Sequence, residues 1–115
     1  MSLRIANVTF DCVDPIVLST FWSAAFGRPV DPDPSPDFAS IGVKDDDPAP
    51  SLFFINVPEA KAVKNRVHVD LSSDDQESEV TRLIGLGAAR VSHHDEWGHS
   101  WTVMLDPEGN EFCVS

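Results

Sequence analysis

Basic residues are scarce in this chain. Lys and Arg together number 8 against 19 Asp and Glu, for a net charge of −11 over 115 residues. Phosphate backbones and anionic lipid surfaces are repelled on average by such a chain, so neither nucleic acid nor a membrane is an expected partner. Cysteine is also scarce. Cys12 and Cys113 lie at opposite ends with no C-x-x-C spacing, which excludes a disulfide framework. No apolar run approaches the ~18–20 residues of a membrane span, and no basic-then-apolar segment opens the chain. These absences give the expectation of a soluble, cytoplasmic protein. With 42% hydrophobic residues and this length, a single domain with a real core is expected.

What is present is organised around Arg66–Ser72. Strict alternation puts Val67, Val69 and Leu71 on one face of a strand and His68, Asp70 and Ser72 on the other. Polar groups aimed into a protected space are costly unless paired or used. Near the start, Asn7–Asp11 has the same alternation. An offset of 61 residues separates Asn7 from His68 and equally separates Asp14 from Asp75, so the chain reads as two copies of one unit, about 1–58 and 64–115.

In the first copy, residues 4–12 form a strand and Asp14-Pro15 starts a helix over 15–26, stopped by Gly27. Leu18, Phe21, Trp22, Ala25 and Phe26 supply its apolar stripe. Six of the nine prolines break up residues 29–50, leaving a short strand at Phe38–Val43. Asp45, Asp46 and Asp47 read as a solvated turn, because the run lacks the spacing of a calcium loop. Ser51–Val57 is a buried strand, and residues 59–65 link the copies.

In the second copy, Asp74 with Glu77 suggests a capping box for a helix over 75–86, with Val80, Leu83 and Ile84 inward. Ala88–Ser92 and Trp101–Leu105 are strands, with His93–His99 a polar loop between them. Asp106–Asn110 is a turn leading into a last strand, Glu111–Val114, paired with 101–105. Each copy then reads β-α-β-β(-β). The fold class is α+β: two tandem βαβββ units making a cup-shaped mixed sheet with helices outside.

Cys12-Val13-Asp14-Pro15 followed by Phe21-Trp22 and Gly27-Arg28-Pro29 resembles the opening of the vicinal oxygen chelate superfamily. That superfamily holds glyoxalase I, bleomycin resistance proteins and extradiol dioxygenases. Asp106-Pro107-Glu108-Gly109-Asn110 resembles its closing hairpin, and Lys64–Leu71 with Trp97, Gly98 and Trp101 resembles its glyoxalase-like branch. The resemblance implies the glyoxalase/bleomycin resistance/dihydroxybiphenyl dioxygenase fold, a homodimer and a small-molecule site in the cup. It also implies metal-ligand positions at Asn7, His68, Cys113 and one of Leu52, Phe54 or Asn56. That set departs from the usual His/Gln, Glu, His, Glu pattern, so a divalent metal has an incomplete set. His68 and Glu111 are its expected protein ligands.

Two functions stay open. One is a lyase- or isomerase-type or dioxygenase-related enzyme in which His68 acts as base or acid with Asp70 or Glu111 orienting it. The other is a non-catalytic, drug-sequestering binder in which Trp97 and Trp101 stack on a planar or cationic ligand. In either case strand parity gives the lining: Asn7, Thr9 and Asp11, then His68 and Asp70, then Glu111 and Cys113, with Asn56 as a further contact. The His93–His99 loop and Cys113 have plainer readings as a polar turn and a small buried apolar residue.

Overall fold

Two helices and seven strands in two mixed sheets make up the protein, seen in a computed structural model that describes residues 2–115. The chain divides into two compact units, one up to Ala60 and one from Lys61 to Ser115.

The first unit runs β1 (Asn7–Cys12), α1 (Pro15–Phe26), β2 (Phe38–Ile41) and β3 (Ser51–Asn56). Its sheet order is β1-β3-β2, with β3 parallel to β1 and antiparallel to β2. The helix begins where expected. Asp14 Oδ1 accepts from the N–H groups of Ile16 and Val17, both at 3.1 Å, and Pro15 needs no such partner. It ends at Gly27, whose φ of 67° lets its N–H donate to Ser23 O. Leu18, Phe21 and Trp22 are buried, and the Trp22 ring lies 5.1–5.5 Å from those of Phe10, Phe21 and Phe26. Phe26 and Ala25 sit at the rim of this cluster rather than inside it.

Two expectations are corrected here. The first strand starts at Asn7 rather than residue 4, because its partner begins at Ser51 and the pairing stops there. Only Leu52 and Phe54 of β3 are buried, since α1 covers one face of the sheet. The acidic run keeps Asp46 and Asp47 exposed, as a solvated turn does, while Asp45 is tied down. Asp45 receives two hydrogen bonds from the Arg28 guanidinium, at 3.1 and 3.3 Å, and Asp47 lies 3.6 Å from it. The Arg28 hydrogen bond lowers the pKa of Asp45, and Asp45 in turn raises that of Arg28. Gly42 makes room for this: a Cβ there would lie 1.9 Å from the guanidinium.

The second unit runs β4 (Val69–Leu71), α2 (Gln76–Leu86), β5 (Ala89–Glu96), β6 (His99–Leu105) and β7 (Glu111–Val114). Its sheet order is β4-β7-β6-β5, with β4 parallel to β7 and the rest antiparallel. Val80, Leu83, Met104, Phe112 and Val114 form the core. Both units thus bring the last strand back beside the first. The first unit is βαββ rather than βαβββ; an isolated bridge between Val30 and Ile41 replaces the fourth strand.

The organising strand is shorter than its alternation suggests. Pairing with β7 begins at Val69, and Val67 is 81% exposed. The second helix is capped by Asp75, not Asp74: Asp75 Oδ1 accepts from Ser78 N at 3.1 Å. Glu77 faces Arg90 instead of closing a capping box, and Ile84 is largely exposed. The polar stretch His93–His99 is a hairpin, not a loop. Strands β5 and β6 pair up to Glu96 and His99, and Trp97-Gly98 turns the chain with φ of 55° and 71°. Positive φ at both central residues matches the twist of the flanking strands.

Asp75→Ala should destabilise the protein by about 1 kcal/mol and Asp74→Ala by less than about 0.5 kcal/mol, measured by urea denaturation. Equal losses would contradict the assigned cap.

Candidate functional site

The site grows out of one strand pairing. In the parallel ladder of β4 and β7, Asp70 stands opposite Cys113. His68 lies two residues before Asp70, and its Nε2 is 3.1 Å from Asp70 Oδ1. One ligand atom each from His68, Asp70 and Cys113 falls within 4.8 Å of the others. Burial pushes the Cys113 thiol pKa up, and the charge of Asp70 and the hydrogen bond to it act in the same direction. The raised pKa keeps the thiol protonated at neutral pH, beside the Asp70 carboxylate.

Beside this trio the hairpin supplies a wall of rings. Trp101 lies near-parallel to His94 (5.1 Å, 20°), His99 (5.3 Å, 24°) and Trp97 (6.3 Å, 13°). The outermost ring, Trp97, is 90% exposed. The trio and the Trp97, His99 and Trp101 rings of the wall line one open cleft of about 590 Å³, together with Leu71, Ser72 and Ser115. The lining is mostly apolar with a few converging polar groups, the usual make-up of a small-molecule site.

Glu111 has another task. Its carboxylate accepts from Lys61 Nζ and from the Asn65 backbone N–H, both at 3.0 Å. Burial opposes its ionisation, but these hydrogen bonds outweigh burial and hold its pKa at about 2. Asn65 also donates from its side chain to Asn110 Oδ1 at 2.8 Å. Glu111 therefore fastens the segment leading to His68 and does not line the cleft. Asp70, not Glu111, is the carboxylate that the structure sets beside His68.

Asn7, Thr9, Asp11 and Asn56 belong to the first unit. Asn7, Thr9 and Asp11 share a face of β1, and Asn7 Nδ2 donates to Thr9 Oγ1 at 3.0 Å. Asn56 is a clamp: its Nδ2 donates to Val13 O at 2.8 Å, tying β3 to the segment before α1. The structure therefore unites His68, Asp70, Cys113, Trp97 and Trp101 of the expected set. It adds His99, which the sequence reading placed in a polar turn. Recognising Trp97-Gly98 as a two-residue hairpin would have put His99 and Trp101 on one face.

Residues 7–115 match the family described as the glyoxalase-like domain. The chain belongs to that family. Among curated proteins, none matches it in sequence. Solved structures show the shared fold. One is a glyoxalase/bleomycin resistance protein/dioxygenase family enzyme from Burkholderia phytofirmans PsJN, with TM-score 0.76, 20% identity, and 97% of each chain covered. A second is an E126Q mutant of the fosfomycin resistance protein FosX from Listeria monocytogenes, complexed with Mn(II) and 1S,2S-dihydroxypropylphosphonic acid. It has TM-score 0.79 and 9% identity over 99% of this chain and 90% of that one. A third is the bleomycin-binding protein of Streptomyces verticillus complexed with copper(II)-bleomycin. It has TM-score 0.66 and 15% identity over 100% and 97%.

For a metal ion, this glyoxalase-like chain offers nitrogen, oxygen and sulfur donors at His68, Asp70 and Cys113. Those three residues would hold a divalent cation with affinity for sulfur, were one bound.

Because the pKa of Glu111 is depressed below its ordinary 4.5, its stabilising effect is full above that value and lost as pH falls toward about 2. Glu111→Gln should cost about 1–2 kcal/mol at neutral pH, and the gap to wild type should close through that acid window. Urea denaturation at stepped pH values measures both.

Proposed function

We propose that this glyoxalase-like protein binds a planar, cationic small molecule in the cleft of its second unit. The observation that carries the reading is the near-parallel stack of rings ending in the exposed face of Trp97. An indole face left open to solvent is a ready platform for another flat, electron-poor ring. Asp70, largely exposed, supplies a negative charge to the lining of the same cleft. The net charge of −11 raises the local concentration of cations. A structural relative seen with copper(II)-bleomycin supports the same class of ligand.

A second reading is favoured by the contact between His68 Nε2 and Asp70 Oδ1. With Nε2–H donating to the carboxylate, Nδ1 is left as a proton acceptor, and Asp70 stabilises the imidazolium that forms. His68 would then remove a proton from a carbon acid held against the tryptophans.

Tryptophan fluorescence titrated with planar cationic compounds tests the first reading. Saturable quenching is expected in the wild type, with affinity about 5- to 30-fold weaker in Trp97→Ala. Asp70→Asn should erase the preference for cations over neutral isosteres. No quenching by any such compound would sink the reading. Under the second reading His68→Ala abolishes turnover and leaves quenching within about twofold of wild type.

A further inference from the structure

We infer that His93 is a positioning residue for the aromatic wall: a closed ring of hydrogen bonds through Thr102, Gln76 and Ser100 holds the hairpin tip to the start of α2 and so sets the wall's geometry and its affinity for ligand. The inference rests on the ligand-binding reading and deepens it, by naming what governs that site from its far face.

The hairpin tip needs an outside hold. Strand β6 pairs with β7 over Thr102–Leu105, and among the described residues His99–Trp101 pair with β5 alone. Beyond Thr102 the hairpin is a two-stranded ribbon, a form that is marginal in water by itself. Trp97, His99 and Trp101, the rings that line the cleft, all stand on this ribbon or its turn.

Bonding capacity fixes the protons in the hydrogen-bonded ring. The Ser100 backbone oxygen can only accept, so the group 3.1 Å from it is the Gln76 amide nitrogen, and the amide oxygen faces Thr102. That oxygen can also only accept, so the Thr102 hydroxyl donates to it at 2.7 Å. With its one proton spent, Thr102 Oγ1 accepts from His93 Nδ1 at 3.0 Å, which assigns the Nδ1–H form of the imidazole. Nε2 is left to accept from Ser100 Oγ at 3.3 Å. Ser100 Oγ in turn accepts from Gln76 Nε2 across a long 3.5 Å, closing the circuit. Thr102 is fully buried, so an unpaired hydroxyl there would be costly.

Strand register carries this hold to the wall. His93 and Thr102 make one rung of the β5–β6 ladder, and His94 and Trp101 make the next. Successive side chains face opposite ways, so fixing the first rung orients the second, whose rings stack at 5.1 Å. Ser100 likewise lies between His99 and Trp101. Three members of the ring thus adjoin a wall residue in the chain, yet none of them lines the cleft. Without the ring the ribbon can twist beyond the Thr102 rung, and the faces of Trp97 and Trp101 lose their common orientation.

The test pairs nitrogen NMR of the histidine rings with fluorescence titration by N-methylquinolinium, a flat cation, under conditions where every variant is folded. The wild type should carry hydrogen on His93 Nδ1. Upfield ring-current shifts of the His94 and His99 ring protons should report the stack with no ligand present. Thr102→Val should move the His93 tautomer toward Nε2–H, shrink those shifts and weaken N-methylquinolinium about 3- to 10-fold, the worth of one lost hydrogen bond. Gln76→Leu should shrink the shifts and the affinity likewise. Thr102→Ser, which keeps the hydroxyl, should restore all three readouts. A purely structural ring would lower the urea midpoint and leave the shifts and affinity of the folded variants at wild-type values. That result overturns the inference, as does hydrogen on His93 Nε2 alone in the wild type. Should Thr102→Val fail to fold, Gln76→Leu, at a partly exposed position, decides. If no planar cation quenches any form, the ligand reading falls and the ring-current shifts judge the ring by themselves. Equal quenching of every form with unchanged shifts removes the positioning role and leaves the ligand reading standing.

Discussion

Parallel pairing between the last and first strands of each unit is the constraint on which the rest depends. Parallel neighbours cannot be joined by a tight turn, so a crossover helix must intervene. That explains α1 between β1 and β3, and α2 between β4 and β7. It also explains why both helices begin on a capping Asp just past a strand. In the second unit the same pairing sets Asp70 against Cys113, residues 43 positions apart in the chain. The polar trio is a consequence of that register: a one-residue slip would send Cys113 to the opposite face.

Charge in this acidic chain is used as fastening as much as for solubility. Arg28 is held by Asp45 and Asp47 and donates to Pro50 O, closing the long proline-rich connection of the first unit. Asp106, buried, accepts from the backbone of Glu108 and Asn110 and fixes the β6–β7 turn. Glu111 ties down the segment before β4. Each carboxylate satisfies N–H groups that secondary structure leaves unpaired. The side chains left less committed, His68, Asp70 and Trp97, are those at the cleft.

The hairpin of β5 and β6 shows how a site can hide in plain composition. His93 to His99 is polar and rich in imidazole, which reads as a loop. Pairing sorts it by parity. His93 hydrogen-bonds Thr102, which donates to Gln76 of α2, while His94 stacks on Trp101. Adjacent histidines thus serve opposite faces of one sheet, one anchoring a helix and one backing the aromatic wall.

Local signals were legible wherever the chemistry is local. Asp14, Pro15 and Gly27 bounded α1, Gly109 and Asp106 marked the last turn, and the 61-residue offset pointed to Asp75 even though the capping-box pattern favoured Asp74. Those features need only a few consecutive residues, so the sequence alone determined the helices, and motifs spread along the chain pointed to the family fold. It also picked out His68, Trp97 and Trp101. Only the tertiary structure decided that Glu111 is an anchor and Asp70 the partner of His68, and that the first unit lacks a fourth strand. Those outcomes turn on which distant backbone groups need a hydrogen-bond partner and on where a strand's neighbour ends. Neither is written in any single stretch of chain.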